Sequence, residues 1–191
     1  MKVGLYFGSF NPIHIGHLAI ANYMVAFTNI DQLWFMVSPQ NPLKQQATLL
    51  PDHHRYEMVY RAVEEFPEFR ASNFEFSLPK PSYTINTLTH LKEKYPTFDF
   101  VLIMGSDSLE SLPKWKNYEQ ILDKFEIFVY PRPHNSGGEL VSHSKVTFVQ
   151  APLMEISASF IRDSIKLGKN IKAFLPTKVW EYLDQMNFYR K

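Results

Sequence analysis

Gly8-Ser9-Phe10-Asn11-Pro12-Ile13-His14-Ile15-Gly16-His17 is the stretch on which the reading of this chain turns. Before it, Val3 to Phe7 is a short apolar run, the pattern of a strand buried on both faces. After it, Leu18, Ala21, Met24, Val25 and Phe27 recur at helical spacing from about His17 to Phe27. The ten residues therefore join a first strand to a first helix. Gly8 permits a tight exit and a close backbone approach to a ligand. Asn11-Pro12 fixes a turn, and Gly16 leaves space where the helix begins. His14 and His17 are three apart, so both face one side of the helix start. Free amides and the helix dipole draw phosphate to that end. Two imidazoles beside it can donate to phosphate oxygens and stabilise charge that builds during transfer. A His-x-x-His pair can also begin a metal site, but no further ligand lies nearby. The spacing is not that of a dinucleotide fingerprint, and no P-loop lysine follows.

Outward from this stretch, short apolar strands alternate with helices. Leu33 to Val37, Phe69 to Phe76, Phe98 to Met104, Phe125 to Tyr130 and Lys145 to Val149 read as strands. Helices are expected from Pro51-Asp52 through Val63, over Tyr83 to Tyr95, around Ser108 to Leu112 and Tyr118 to Leu122, and over Ser157 to Leu167 and Pro176 to Met186. Gln40 to Leu50 and His134 to Ser144 read as polar loops. The alternation argues for an α/β fold with a mostly parallel sheet and helices on both faces. One domain over 1–191 is expected, with a small helical part from about 157 to 191. Ligands of such sheets sit beyond the carboxyl ends of the strands.

Composition bounds the rest. The 191 residues are 45% apolar and 20% charged, enough for a real core. Lys and Arg total 20 against 19 Asp and Glu, a net charge of +1, which disfavours a generic nucleic-acid coat. Cysteine is absent, so disulfides, thiolate nucleophiles and cysteine-held metals are excluded. No apolar run reaches membrane-spanning length, and the first residues lack the pattern of a signal peptide. The expectation is a cytoplasmic protein with no membrane and no nucleic-acid partner; a homo-oligomer stays open.

A second candidate site is Ile156-Ser157-Ala158-Ser159-Phe160-Ile161-Arg162. Ser157 suits an N-cap, and the amides beside Ser159 with the Arg162 charge suit a polyphosphate. On local grounds a Ser-rich cap with a solvated Arg explains the stretch as well.

His14-Ile15-Gly16-His17 resembles the His-x-Gly-His signature of the nucleotidyltransferase superfamily, and the Gly-Ser-Phe-Asn-Pro prefix resembles that of the small adenylyltransferases. The second stretch is similar to that superfamily's Ile-Ser-Ser-Thr-x-Ile-Arg motif, with Ala158 in place of the second Ser and Ser159 in place of Thr. Three further segments resemble the bacterial nicotinate mononucleotide adenylyltransferase family: Pro81 to Leu88, Gly105 to Leu109, and Leu112-Pro113-Lys114-Trp115. The resemblance implies a Rossmann-like nucleotidyltransferase fold and adenylyl transfer from ATP, with Mg2+, to nicotinate mononucleotide in NAD biosynthesis. It implies that His14 and His17 are catalytic. It assigns Gly8, Ser9, Phe10, Gly105, Asp107, Ser157, Ser159 and Arg162 to ATP as well. It assigns Ser9, Lys44, Thr84, Trp115 and Arg132 to the mononucleotide. Thr84 offers a hydroxyl and an amide to a carboxylate, and Trp115 a flat face to a pyridinium. Taken singly, these residues read first as a helix cap, a core Trp, a turn Asp and solvated cations. Rival readings are a phosphopantetheine enzyme, which generally shows Thr-x-Gly-His, a nicotinamide mononucleotide enzyme, an oxidoreductase, and a catalytically silent nucleotide sensor.

Overall fold

The computed structural model describes residues 1–39 and 49–190. Six parallel strands form one sheet: β1 (Lys2–Gly8), β2 (Gln32–Val37), β3 (Phe69–Ser72), β4 (Asp99–Gly105), β5 (Glu126–Tyr130) and β6 (Val146–Phe148). Among the described residues seven α-helices accompany them: α1 (Ile15–Phe27), α2 (Asp52–Val63), α3 (Thr84–Lys94), α4 (Ser106–Ser111), α5 (Tyr118–Lys124), α6 (Ala158–Lys166) and α7 (Thr177–Gln185). This is the α/β, Rossmann-like arrangement expected from the alternating runs.

Period-two alternation divides the apolar side chains between two faces. Along β4, Val101 and Ile103 join a cluster with Ile20 and Met24 of α1, Met58 and Val59 of α2, Ile161 of α6 and Val179 of α7. The intervening Phe100, Leu102 and Met104 join the opposite cluster, with Leu88 of α3, Leu109 of α4 and Ile121 of α5. Both faces of the central strands are therefore covered, which is why those strands read as unbroken apolar runs. The C-terminal helices α6 and α7 share the first cluster and do not build a core of their own.

The third strand is shorter than its sequence suggests. Pairing of β3 with β2 ends at Met36 and Ser72, because β2 runs out into Ser38-Pro39. The chain then takes a 3-10 turn over Phe74–Ser77, and the Ser72 hydroxyl accepts the Phe74 amide at 3.3 Å. Phe74 and Phe76 still pack toward opposite clusters, so the apolar pattern survives without the strand. Similarly, α4 starts at Ser106, directly off β4, and a further 3-10 turn covers Leu112–Lys114.

The strand order β3-β2-β1-β4-β5-β6 fixes where a ligand can sit. β1 passes to α1 on one face, while β4, its other neighbour, passes to α4 on the other. The connections diverge there, and a crevice opens at the carboxyl ends of β1 and β4.

Candidate active site

A cavity of about 390 Å³ occupies that crevice. Its walls come from the β1–α1 turn, from Asp107 after β4, from Arg132 after β5 and from the start of α6.

The β1–α1 turn is built around Phe10. Its φ of 45° turns the chain left-handed, and its ring is only 2% exposed. The ring stands edge-on to His17 at 5.1 Å and to Tyr6 at 5.8 Å, and Phe10 lines the cavity beside them. A Cβ on Gly8 would lie 2.8 Å from that ring; only glycine lets the strand end pass so close. His14 sits at the N-cap of α1, and its backbone amide donates to His17 Nδ1 at 3.2 Å. That bond fixes His17 in the tautomer whose Nε2 carries the proton and can donate. The two imidazole centroids lie 3.8 Å apart. His14 is 4% exposed, and its buried Nδ1 has no hydrogen-bond partner among the described residues. Burial, with the Arg132 charge adding to it, pushes the His14 imidazole down to about 4, so it is neutral at pH 7.

The start of α6 closes over this turn. Ser157 caps the helix, its hydroxyl accepting the Phe160 amide at 3.1 Å. Arg162 is not a solvated cation: Nη1 donates to the Asn11 carbonyl at 2.8 Å and Nη2 to the Ser159 hydroxyl at 3.2 Å. Two motifs from opposite ends of the chain thus meet through one guanidinium.

The β4 and β5 exits form the third wall. Asp107 and Arg132 face each other with Oδ1 and Nε 3.8 Å apart. Gly105 does not line the cavity but lets this pair close. A Cβ there would lie 2.4 Å from Asp107 Oδ1 and 2.7 Å from Arg132 Cγ. The Ser106 hydroxyl accepts the Arg132 amide and donates to the Asn135 carbonyl, both at 3.0 Å, which anchors the Arg132 turn.

Thr84 and Trp115 lie outside the lining of this cavity. Thr84 is the first residue of α3, and Trp115 is a half-buried residue against the second cluster. Lys116 packs over the Tyr83 ring at 4.4 Å, bringing the two segments side by side. Lys44 falls outside the described residues.

Sequence reading missed Arg55, the most constrained polar side chain near the site. It is completely buried, and it donates to the carbonyls of Ser9 (2.7 Å), Ser38 (2.8 Å), Leu50 (2.9 Å) and Pro39 (3.1 Å) and to Asp52 (2.8 Å). The β1 and β2 exits and the start of α2 are pinned by this one side chain. The signal was present: Arg55, Met58, Val59 and Ala62 share one helical stripe, and a cation on an apolar stripe needs buried acceptors. Tyr6 and Tyr130, with hydroxyls 3.0 Å apart at the cavity wall, were also missed, because they read as ordinary strand aromatics.

Among the described residues no group of three or more His, Asp or Glu could hold a metal ion. No helix among them is long and apolar enough to cross a membrane.

Comparison with known proteins agrees with this geometry. A family model described as cytidylyltransferase-like matches residues 5–164. A protein of Flavobacterium johnsoniae named "Probable nicotinate-nucleotide adenylyltransferase" is 56% identical over 195 residues, covering 100% of both chains. A relative of the same name from Bacteroides thetaiotaomicron is 48% identical, covering 96% of this chain and 91% of its own. The solved nicotinic acid mononucleotide adenylyltransferase of Plasmodium falciparum, complexed with NaAD, superposes with a TM-score of 0.82 at 21% identity over 98% of this chain and 97% of that one. That last likeness speaks to the fold.

Proposed function

We propose, from the premise that this chain belongs to the cytidylyltransferase-like family and to its nicotinate-nucleotide adenylyltransferases, that the crevice transfers the adenylyl group of ATP to nicotinate mononucleotide. One observation supports this above the others. Arg162 is bonded across 151 residues to the carbonyl of Asn11, inside the turn that carries His14 and His17. A guanidinium, two imidazoles and a helix N-terminus then converge on one small volume, a donor set suited to a polyphosphate.

In this reading the mononucleotide phosphate, an anion at neutral pH, attacks the α-phosphorus of ATP. A new bond forms from its oxygen to that phosphorus as the bond to the bridging oxygen of the β-phosphate breaks. Pyrophosphate leaves with the electron pair. No protein nucleophile takes part; the chain aligns the reactants and stabilises charge on the moving oxygens. His17 donates from Nε2 to the phosphates as charge builds. His14 donates as a neutral imidazole, and an arriving triphosphate raises its affinity for a proton. Arg162, Ser159 and the α6 amides hold the outer phosphates, and the backbone of Gly8, Ser9 and Phe10 borders them. Arg132 and Thr84 meet the acceptor, and Trp115 stacks on its pyridinium. Magnesium fits these residues as a companion of the triphosphate. Asp107 is the one carboxylate among the described lining residues, and it already faces Arg132, so it would hold the ion through water. When bound, the ion neutralises phosphate charge. The reading places the reaction in the cytoplasm.

Incubating the purified chain with ATP, magnesium and either nicotinate or nicotinamide mononucleotide tests this. Pyrophosphate should be released faster with nicotinate mononucleotide. A preference for the amide would move the acceptor assignment. ATP binding with no pyrophosphate from either acceptor would favour the silent sensor.

A further inference from the structure

Beyond α7, residues 186–190 turn back onto the fold. Asn187 and Tyr189 both take left-handed backbone, with φ of 53° and 61°, though neither is glycine. Such residues persist where surrounding contacts over-determine them. The contacts are visible. The Phe188 amide returns to the Leu183 carbonyl at 3.1 Å, and its ring packs edge-on to His54 at 4.8 Å. That reversal delivers Tyr189 to the other end of the sequence, where its hydroxyl donates to Asn11 Oδ1 at 2.7 Å. Asn11 is buried and lines the cavity. Its Oδ1 also accepts the Leu50 amide at 3.2 Å, and its carbonyl accepts Arg162 at 2.8 Å. Donors from distant segments therefore help set the orientation of the Asn11 amide, and the Asn11 carbonyl in turn directs Arg162.

We propose that Tyr189 is a positioning residue for ATP: its hydroxyl holds Asn11, and through Asn11 the β1–α1 turn and Arg162, in the geometry that receives the triphosphate. The proposal rests on the adenylyl-transfer reading of the crevice and adds to it a C-terminal strap that touches no reacting atom. Burial holds the Tyr189 phenol well above the ordinary range, against the lowering effect of the Arg162 and Arg55 charges, so it is a protonated donor at neutral pH.

The test compares the full chain with Tyr189→Phe, which removes one oxygen and keeps the ring, and with Val179→Ala. Val179 is fully buried in α7, so its truncation weakens the same C-terminal part without touching the Asn11 bond. Affinity for α,β-methylene-ATP is measured by calorimetry, and KM for each substrate by pyrophosphate release. Tyr189→Phe should bind the analogue about three- to tenfold more weakly and raise KM for ATP by the same factor. KM for nicotinate mononucleotide should change less than about twofold. Val179→Ala should lower the melting temperature more than Tyr189→Phe yet leave analogue affinity in place. Equal affinity in Tyr189→Phe and the parent chain would overturn the proposal, as would an equal loss in both variants. Failure of the unmodified chain to bind the analogue would instead overturn the reading of the crevice itself.

Discussion

The regions that the proposed reading gives to the phosphates and to the acceptor are built differently. At the phosphate end, the β1–α1 turn, α6 and the C-terminal residues are cross-bonded: Arg162 to Asn11 and Ser159, Tyr189 to Asn11, Arg55 to Ser9. At the acceptor end, the Thr84 and Trp115 segments share apolar packing and a Lys116–Tyr83 ring contact, and they lie outside the cavity lining. A site that must stabilise developing charge gains from donors fixed before the reaction, because nothing has to reorganise in the transition state. A surface that selects a flat, charged ring needs a stacking face and a few donors. The contrast predicts that lesions at the phosphate end fall on turnover, stability or the affinity for ATP, and lesions at the acceptor end on the affinity for the mononucleotide.

The largest expected effect tests the prebuilt end directly. His17→Ala should lower kcat by about 10²- to 10³-fold while the folded fraction stays near that of the parent chain. Near-normal turnover in a folded variant would remove the reason for treating the two ends as different.

The second lies in the pH dependence of folding. His14 is held at about 4 in the folded chain, chiefly by burial and further by Arg132, against an ordinary 6.5. Between those values the unfolded chain binds the proton and the folded chain does not. Stability must therefore fall as pH drops from 6.5 toward 4, by an amount on the order of 3 kcal/mol. His14→Asn should flatten that slope in urea unfolding at pH 7, 5.5 and 4.5. His54 is also lowered, so the difference between the two profiles is the informative quantity.

Gly105→Ala comes third. The added methyl meets Asp107 Oδ1 at 2.4 Å and Arg132 Cγ at 2.7 Å, and both side chains must shift. Turnover should drop about tenfold or more, with little loss of stability, because the displaced side chains are partly exposed and can turn away. Unchanged kinetics would show that the third wall tolerates rearrangement and belongs with the looser end.

The smallest effect sharpens the acceptor side. Trp115→Ala should raise KM for the mononucleotide by about 2- to 30-fold, the value of a ring–cation contact, with KM for ATP unchanged. A matching change in the ATP constant would place Trp115 at the phosphate end instead.

Much of this molecule was legible in its residues. The strand–turn–helix at Val3 to Phe27 was readable because apolar period and turn chemistry are local. His14 and His17 stood out through their spacing at a helix start, whereas Ser157, Ser159 and Arg162 were singled out by resemblance to a known motif. Arg162 itself illustrates the limit. Its neighbours allowed a solvated cation, and its acceptor, the Asn11 carbonyl, lies 151 residues away. The third strand was overcalled for the same kind of reason. Phe74 and Phe76 alternate correctly, but the partner strand ends at Val37, which no reading of residues 69–76 reveals.

The sequence alone determined the alternation of strands and helices, the two-faced burial of the sheet and the anion-seeking turn after the first strand, since each depends on residues within a few positions of one another. Tertiary structure alone decided that Arg55 would bind four carbonyls from the segments around it, that Tyr189 would reach Asn11, and that Asp107 and Arg132 would face each other over Gly105. Those contacts follow from strand order and register, and order and register are set by how the whole core packs.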